Sequence, residues 1–185
     1  MDVRAEWVQE RAARTSRGML AALFVVYLAV LAWLVLWKLH EPFVGTEGMR
    51  SLKLTPFVAA EGFGASRPPE VAGNVVVFVP FGLYLGLLAP RWSWLRVAAA
   101  TGLTSLVFEI AQYVLAVGST DASDVIANSA GGILGVALAA LVRGRPRSVA
   151  TTARALAVGT LVMLASVALV VAGAPRLPGL PVGIG

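Results

Sequence analysis

The sequence predicts an all-α fold: a polytopic transmembrane bundle of about five helices, each long enough to cross a hydrocarbon core. Three observations carry that expectation. The chain of 185 residues is 58% hydrophobic with mean hydropathy +0.80, and only 14% of its residues are charged. A soluble domain carries roughly 25% charged residues, so there is more apolar surface here than one water-facing core can bury. Apolar runs of bilayer length recur at 18–39, 72–89, 95–117, 124–142 and 155–172. The basic residues fall between these runs or at their ends, as Lys38 and Arg96 do.

The first run follows Arg4, Arg11, Arg14 and Arg17 and stays uncharged until Lys38. It is longer than the roughly 7–15 apolar residues of a signal peptide and has no small-residue cleavage site after it, so it reads as a retained helix. Trp33 and Trp37 near its end read as interface anchors. Residues 40–73 form a long mixed segment with Pro42, Pro56, Pro68 and Pro69, part of which is expected at the membrane interface. The second run contains Pro80 and Gly82, where a kink is expected. Pro90 and Arg91 end it, and Trp92 and Trp94 mark an interface before the third run. A tight turn at 118–123 leads into the fourth run. That run holds Gly131 and Gly135, and their four-residue spacing lets helix backbones approach closely, as does that of Gly82 and Gly86. Residues 1–17 form a basic N-terminal segment, residues 18–173 the transmembrane domain, and the Pro/Gly-rich tail 174–185 is expected to be disordered.

Charge and composition exclude several function classes. The net charge of +5 reads as topology and lipid attraction, and no basic patch is interleaved with aromatics, so no nucleic-acid partner is expected. With no cysteine and the single histidine His40, thiol chemistry, Cys-ligated metals and multi-His sites are ruled out. No cofactor is expected, and the only weak metal-ligand candidates are Asp121 and Asp124. Of the 15 Lys and Arg residues, ten lie on the side of the N-terminus and the 90–96 and 143–154 turns, five on the other. Positive-inside bias therefore places the N-terminus inside, in the cytoplasm, and the C-terminus outside.

Of the ten carboxylates, only Glu109 lies in the interior of an apolar run; the others lie in loops, termini or helix ends. It sits eight residues from Val117, about 12 Å from the outer end of the third helix. A charge at mid-bilayer costs roughly 2.5–3.5 kcal/mol on insertion scales, so Glu109 must be neutral, paired or turned to a wet cavity. Gln112 follows it by three residues on nearly the same face. Asp121 lies in the next turn, and Asp124 and Asn128 share a face at the start of the fourth helix. Asn74 opens the second helix. Asn74, Glu109, Gln112, Asp121, Asp124 and Asn128 thus reach the same side at similar depth and form a candidate ligand-binding cluster. Plainer roles stand beside this one: interhelical hydrogen bonds for Glu109, Gln112 and Asn128, and helix caps for Asn74, Asp121 and Asp124.

Four stretches fall in a familiar order: Arg50-Ser-Leu-Lys-Leu-Thr-Pro-Phe57, Asn74-Val-Val-Val-Phe-Val-Pro-Phe-Gly82, Ser105-Leu-Val-Phe-Glu-Ile-Ala-Gln112, and Thr120-Asp-Ala-Ser-Asp-Val-Ile-Ala-Asn-Ser-Ala-Gly-Gly132. Over roughly residues 25–142 the chain resembles the VanZ-like family of bacterial integral membrane proteins. The family pattern falls on Arg50, Pro56, Asn74, Pro80, Gly82, Glu109, Gln112, Asp121, Asp124, Asn128 and Gly131, and adds Arg50 to the cluster. The chain departs from that pattern at Lys53, where the family usually has Asn, and at Gly118, where it often has Arg. Lys53 or Arg50 could supply the missing cation from the long segment. The resemblance implies a link to glycopeptide resistance, notably to teicoplanin. The function it suggests is a cell-envelope protein that binds a lipid-linked precursor or a lipoglycopeptide at the outer leaflet. The chain has no nucleophile, Walker or dinucleotide motif, which leans away from an enzyme. An intramembrane enzyme using Glu109 with Asp121 or Asp124, and a small transporter, are the alternatives.

Overall fold

The computed structural model describes residues 3–37, 42–59, 62–143 and 151–161, with side chains from Arg17 onward. Four long helices form the body: α1 (Val3–Trp37), α2 (Pro68–Leu88), α3 (Trp94–Leu115) and α4 (Ala122–Arg143). All four are long and apolar enough to span a membrane, α1 over Arg17–Trp37. This is a multi-pass all-α membrane protein. Residues 151–161 are also helical, within the start of the expected fifth span. The rest of that span (162–172) and the tail 174–185 lie outside the described residues.

Local sequence sets the helix ends. Pro68 occupies the first turn of α2, where its missing N–H costs nothing. The Glu70 carboxylate accepts the Arg67 N–H at 3.3 Å and closes that end. Helix α2 therefore starts four residues before the expected 72, and Asn74 lies inside it as a bonding residue, not a cap. Ser93 caps α3 by accepting from the Arg96 N–H. Ala116, in the left-handed region at φ 54°, ends α3 with its N–H on the Gln112 carbonyl. Helix α2 continues through Pro80. In the turn that this proline disrupts, the Tyr27 hydroxyl donates to the Val77 carbonyl at 2.7 Å.

Packing follows residue size. An aromatic group, Phe24 and Tyr27 of α1 against Phe81 and Tyr84 of α2, joins the first two helices with ring centroids 5.1–6.2 Å apart. Tyr84 also meets Thr160 at 3.0 Å. Helices α2 and α4 pack far closer, through glycine. A Cβ on Gly131 would sit against the Val75 carbonyl oxygen, and one on Gly135 against that of Val79. At the far end Arg143 donates to the Gly86 carbonyl at 3.0 Å, a cation on the closing turn of α2.

The sequence did not predict a sheet, and the structure has a small one. Strands β1 (Ser51–Lys53) and β2 (Ser119–Asp121) pair in parallel, with Ser51 beside Ser119, Leu52 beside Thr120 and Lys53 beside Asp121. The long segment before α2 is thereby tied to the α3–α4 turn. Further ties hold it there. The Gly45 N–H bonds the Leu115 carbonyl at 2.8 Å, and Arg50 reaches the Tyr113 and Val114 carbonyls at 3.1 and 3.4 Å.

Candidate functional site

The site is built where α1 and α3 end and α2 and α4 begin. Up-down connectivity puts those four ends together, and the bond from the Gln112 side chain to the Val35 carbonyl (2.9 Å) joins the ends of α3 and α1 directly. In β1 successive side chains point to opposite faces. Leu52 and Leu54 turn outward, exposed, while Lys53 turns in and is only 4% exposed. Its ammonium donates to Asp121 Oδ2 at 3.1 Å and to Ser66 Oγ at 2.9 Å.

Asp121 is the centre of this arrangement. Its Oδ1 accepts the Ser123 N–H at 2.8 Å, which caps α4, and the Ser123 hydroxyl at 2.6 Å. Its own N–H donates to Glu109 Oε2 at 2.9 Å. The hydroxyl of Thr120 next to it donates to the Glu109 carbonyl at 3.1 Å, so α3 and the turn are bonded twice. Ser66 and Ser123 meet at 2.9 Å, and the Phe57 N–H donates to Ser123 Oγ at 2.9 Å. That bond helps hold Phe57 at φ 61°, a left-handed backbone that costs a non-glycine residue roughly 1–2 kcal/mol. Burial pushes the Asp121 carboxyl up, but the Ser123 hydroxyl and amide and the Lys53 ammonium outweigh it and hold the group below the ordinary carboxylate range.

The other cluster residues fall around this centre in separate pairs. Asn74 of α2 donates to Asp124 Oδ1 at 2.6 Å, and Asn128 donates to Ser105 Oγ at 2.7 Å. Gln112 turns to α1, away from Glu109. Arg50 sits on the end of α3, its guanidinium 5.8 Å from the centre of the Tyr113 ring and 3.6 Å from Glu47. Oε1 of Gln112 and Oδ1 of Asn128 are buried without a protein partner among the described residues. Asp121 and Asp124 bond different partners, and among the described residues no three acidic or imidazole groups converge as a metal site would need. Of the residues outside the expected cluster, Lys53 contributes most. Its signal was its departure from the family pattern, which made it a candidate to supply the cation missing at Gly118. Ser66 left no signal at all.

Beside the centre a cleft of about 480 Å³ opens between α3 and α4. Its walls are apolar: Leu52 and Leu54 from the β1 segment, Leu106 and Ile110 from α3, Val125 and Ile126 from α4. Glu109, Thr120 and Asp121 also border it, but the surface it exposes is apolar throughout. Ile110, 54% exposed, stands at its rim. Lys53 and Ser66 are 2.9 Å apart, the contact a lysine-activated serine would need. The same nitrogen bonds the Asp121 carboxylate, which ties the pair into the α3–α4 turn.

The VanZ/LLP1 family model matches residues 24–143. The chain belongs to the VanZ/LLP1 family. It is 42% identical to Protein VanZ of Enterococcus faecium over 125 residues, which is 66% of this chain and 72% of that protein. No solved structure matches it. The matched stretch of the VanZ/LLP1 protein runs from α1 to the last residue of α4, so both β strands and the cleft lie within the family domain.

The carboxyl at this centre gives the protein a pH dependence. Its folded pKa is depressed, so Asp121 adds stability that is fully present above the ordinary carboxylate value near 4. That stability is lost as pH falls through the lower folded value. In detergent, the wild-type unfolding midpoint should drop more between pH 5 and pH 3 than that of Asp121→Asn. Parallel curves for the two proteins would show that the carboxylate does not stabilise the fold.

Proposed function

We propose that this VanZ/LLP1 protein binds a lipophilic or lipid-linked ligand in the cleft between α3 and α4, from the outer leaflet. By doing so it lowers susceptibility to lipid-tailed glycopeptides such as teicoplanin. The observation that carries the proposal is the cleft itself. It falls within the range of roughly 300–1,000 Å³ that holds small ligands, and its exposed surface is apolar, as an acyl chain requires. Ile110, exposed at its rim on a helix of membrane-spanning length, favours entry of an acyl chain from the bilayer without passage through water. The excess of basic residues on the opposite side supports the outer-leaflet placement. The residue pairs around it, Lys53 with Asp121 and Asn74 with Asp124, are bonded to each other and serve to hold the cleft rigid.

The test is susceptibility in a host without such a protein. Expression should raise the inhibitory concentration of teicoplanin several-fold and leave that of vancomycin, which has no lipid tail, unchanged. Ile110→Trp, which fills the cleft from its rim, should abolish the effect at equal protein level. Equal protection by this variant would remove the cleft from the function. Reporter fusions at residues 93 and 120 address placement, with cytoplasmic activity expected at 93 only.

A further inference from the structure

The segment that carries Lys53 to Asp121 leaves its apolar side chains outside. Val44 and Leu54 are 72% and 71% exposed, and Phe43, Leu52 and Val58 are exposed as well. An apolar group of this kind, outside the spanning helices, marks a surface that meets protein or membrane. We infer that residues 43–58 lie on the membrane, with these side chains dipped into the head-group and upper acyl region of the leaflet at the site end of the bundle. The partner is the lipid surface itself, whether or not the cleft takes a ligand.

Bonds to the ends of two spans set the depth. The Trp37 indole N–H at the end of α1 donates to the Phe43 carbonyl at 2.9 Å, and the Gly45 N–H donates to the Leu115 carbonyl at 2.8 Å. A Cβ on Gly45 would press on the Ala116 carbonyl oxygen, so the segment touches the end of α3 with no side chain between. It therefore sits level with the last turn of a 22-residue helix, where the hydrocarbon gives way to head groups. Tyr113 and Val114 of that turn are exposed, and Leu52 and Leu54 border the same cleft as Ile110 and Tyr113. The apolar surface of the segment thus continues the outer face of α3. Its charges are matched within the chain: Lys53 meets Asp121 at 3.1 Å, and Arg50 meets Glu47 at 3.6 Å. That suits an uncharged layer better than a charged protein partner. The backbone limits how far the segment sinks. Among the described residues β1 pairs with β2 alone, so the amides of its other edge need water or head groups and cannot enter hydrocarbon. The side chains dip while the backbone stays at head-group level, as in surface helices whose apolar face sinks roughly 5–10 Å into that boundary.

The sequence contains no cysteine, so a nitroxide can be attached at one position at a time. The test positions are Leu54→Cys and Val58→Cys. Glu47→Cys, on the same segment but with a charged side chain that is 93% exposed, is the water reference. Leu103→Cys, exposed midway along α3, is the lipid reference. All four replace exposed side chains and leave the packing of the bundle alone. The full-length variants are placed in nanodiscs of neutral lipid. Power saturation of the nitroxide signal then compares collision with oxygen, which concentrates in lipid, and with a neutral nickel chelate, which stays in water. The oxygen-to-nickel ratio at Leu54 and Val58 should exceed that at Glu47 several-fold and fall below that at Leu103. Ratios at both test positions no higher than at Glu47 would place the segment in water and overturn the inference. Weak collision with both reagents would mean that protein covers the segment, a second copy or another part of this chain, and would overturn it too.

Discussion

Asp121→Ala should be among the most damaging single substitutions in the protein, lowering stability by about 3–5 kcal/mol, the cost of stranding one partner of a buried ion pair. The carboxylate has three jobs at once. It caps α4 through the Ser123 N–H, it accepts the Ser123 hydroxyl, and it compensates the Lys53 ammonium at 3.1 Å. Without it the ammonium keeps only Ser66 and is buried at 4% exposure. Lys53→Met should cost less, on the order of 1–3 kcal/mol. It leaves a carboxylate that is 17% exposed and still takes bonds from Ser123. The double variant Lys53→Met with Asp121→Ala leaves neither charge of the pair buried and should be more stable than Asp121→Ala alone. Equilibrium unfolding in a detergent that refolds the wild type would measure all four proteins. Strictly additive losses would mean that the two side chains do not act as a pair. The same series reads out the ribbon, because β1 and β2 together make only a three-residue register and the ion pair stands at one end of it.

Much of this architecture is legible in the sequence, for a physical reason. A membrane span is a local signal, about 20 apolar residues that need no partner to be recognised. The ends of α2, α3 and α4 accordingly lie within about four residues of the expected ones. The gathering of polar residues at one end was legible too, because alternating helices fix which ends meet. Lys53 as a stand-in for the family's missing arginine was also legible; what could not be read was the strand pairing that delivers it to Asp121. Lys53 and Asp121 are 68 residues apart, and three-residue strands carry too little pattern to announce a parallel partner. Spacing alone also misjudged direction. Glu109 and Gln112 are both buried near the same end of α3, yet one bonds the turn at Asp121 and the other bonds α1. Three residues on a helix rotate a side chain by about 60° from alignment, enough to change the neighbour it meets. Asn74 was expected to open the second helix because the prolines at 68 and 69 looked like loop, while they are the first turn of α2.

Gly135→Ala should separate α2 from α4 and cost roughly 1–3 kcal/mol, the range for overpacking a tight contact, and Gly135→Leu should prevent stable folding. The reason is what the new carbon would touch. It would press on the Val79 carbonyl oxygen, with the Leu83 amide nitrogen at 2.7 Å and Gly82 Cα at 2.8 Å. All three are backbone atoms of α2, so no rotamer change relieves the clash. The contact repeats one turn earlier, where Gly131 meets the Val75 carbonyl. The two helices therefore touch at matching four-residue steps, close enough for Cα–H to carbonyl contacts. In a membrane this closeness has to come from packing, because lipid tails are as apolar as any side chain. Gly73 is the control within the same bundle: it lies inside α2, and a Cβ there would meet nothing within 4 Å. Gly73→Ala should be neutral or slightly stabilising, by up to about 1 kcal/mol, since alanine is the better helix former. The consequence for the site is direct. Asn74 and Asp124 are held at 2.6 Å by the approach of α2 to α4, so Gly135→Ala should also loosen the base of α4 and weaken protection against teicoplanin at equal protein level, while Gly73→Ala leaves it intact. Equal protection by these two variants would show that the glycine contact and the cleft are mechanically independent.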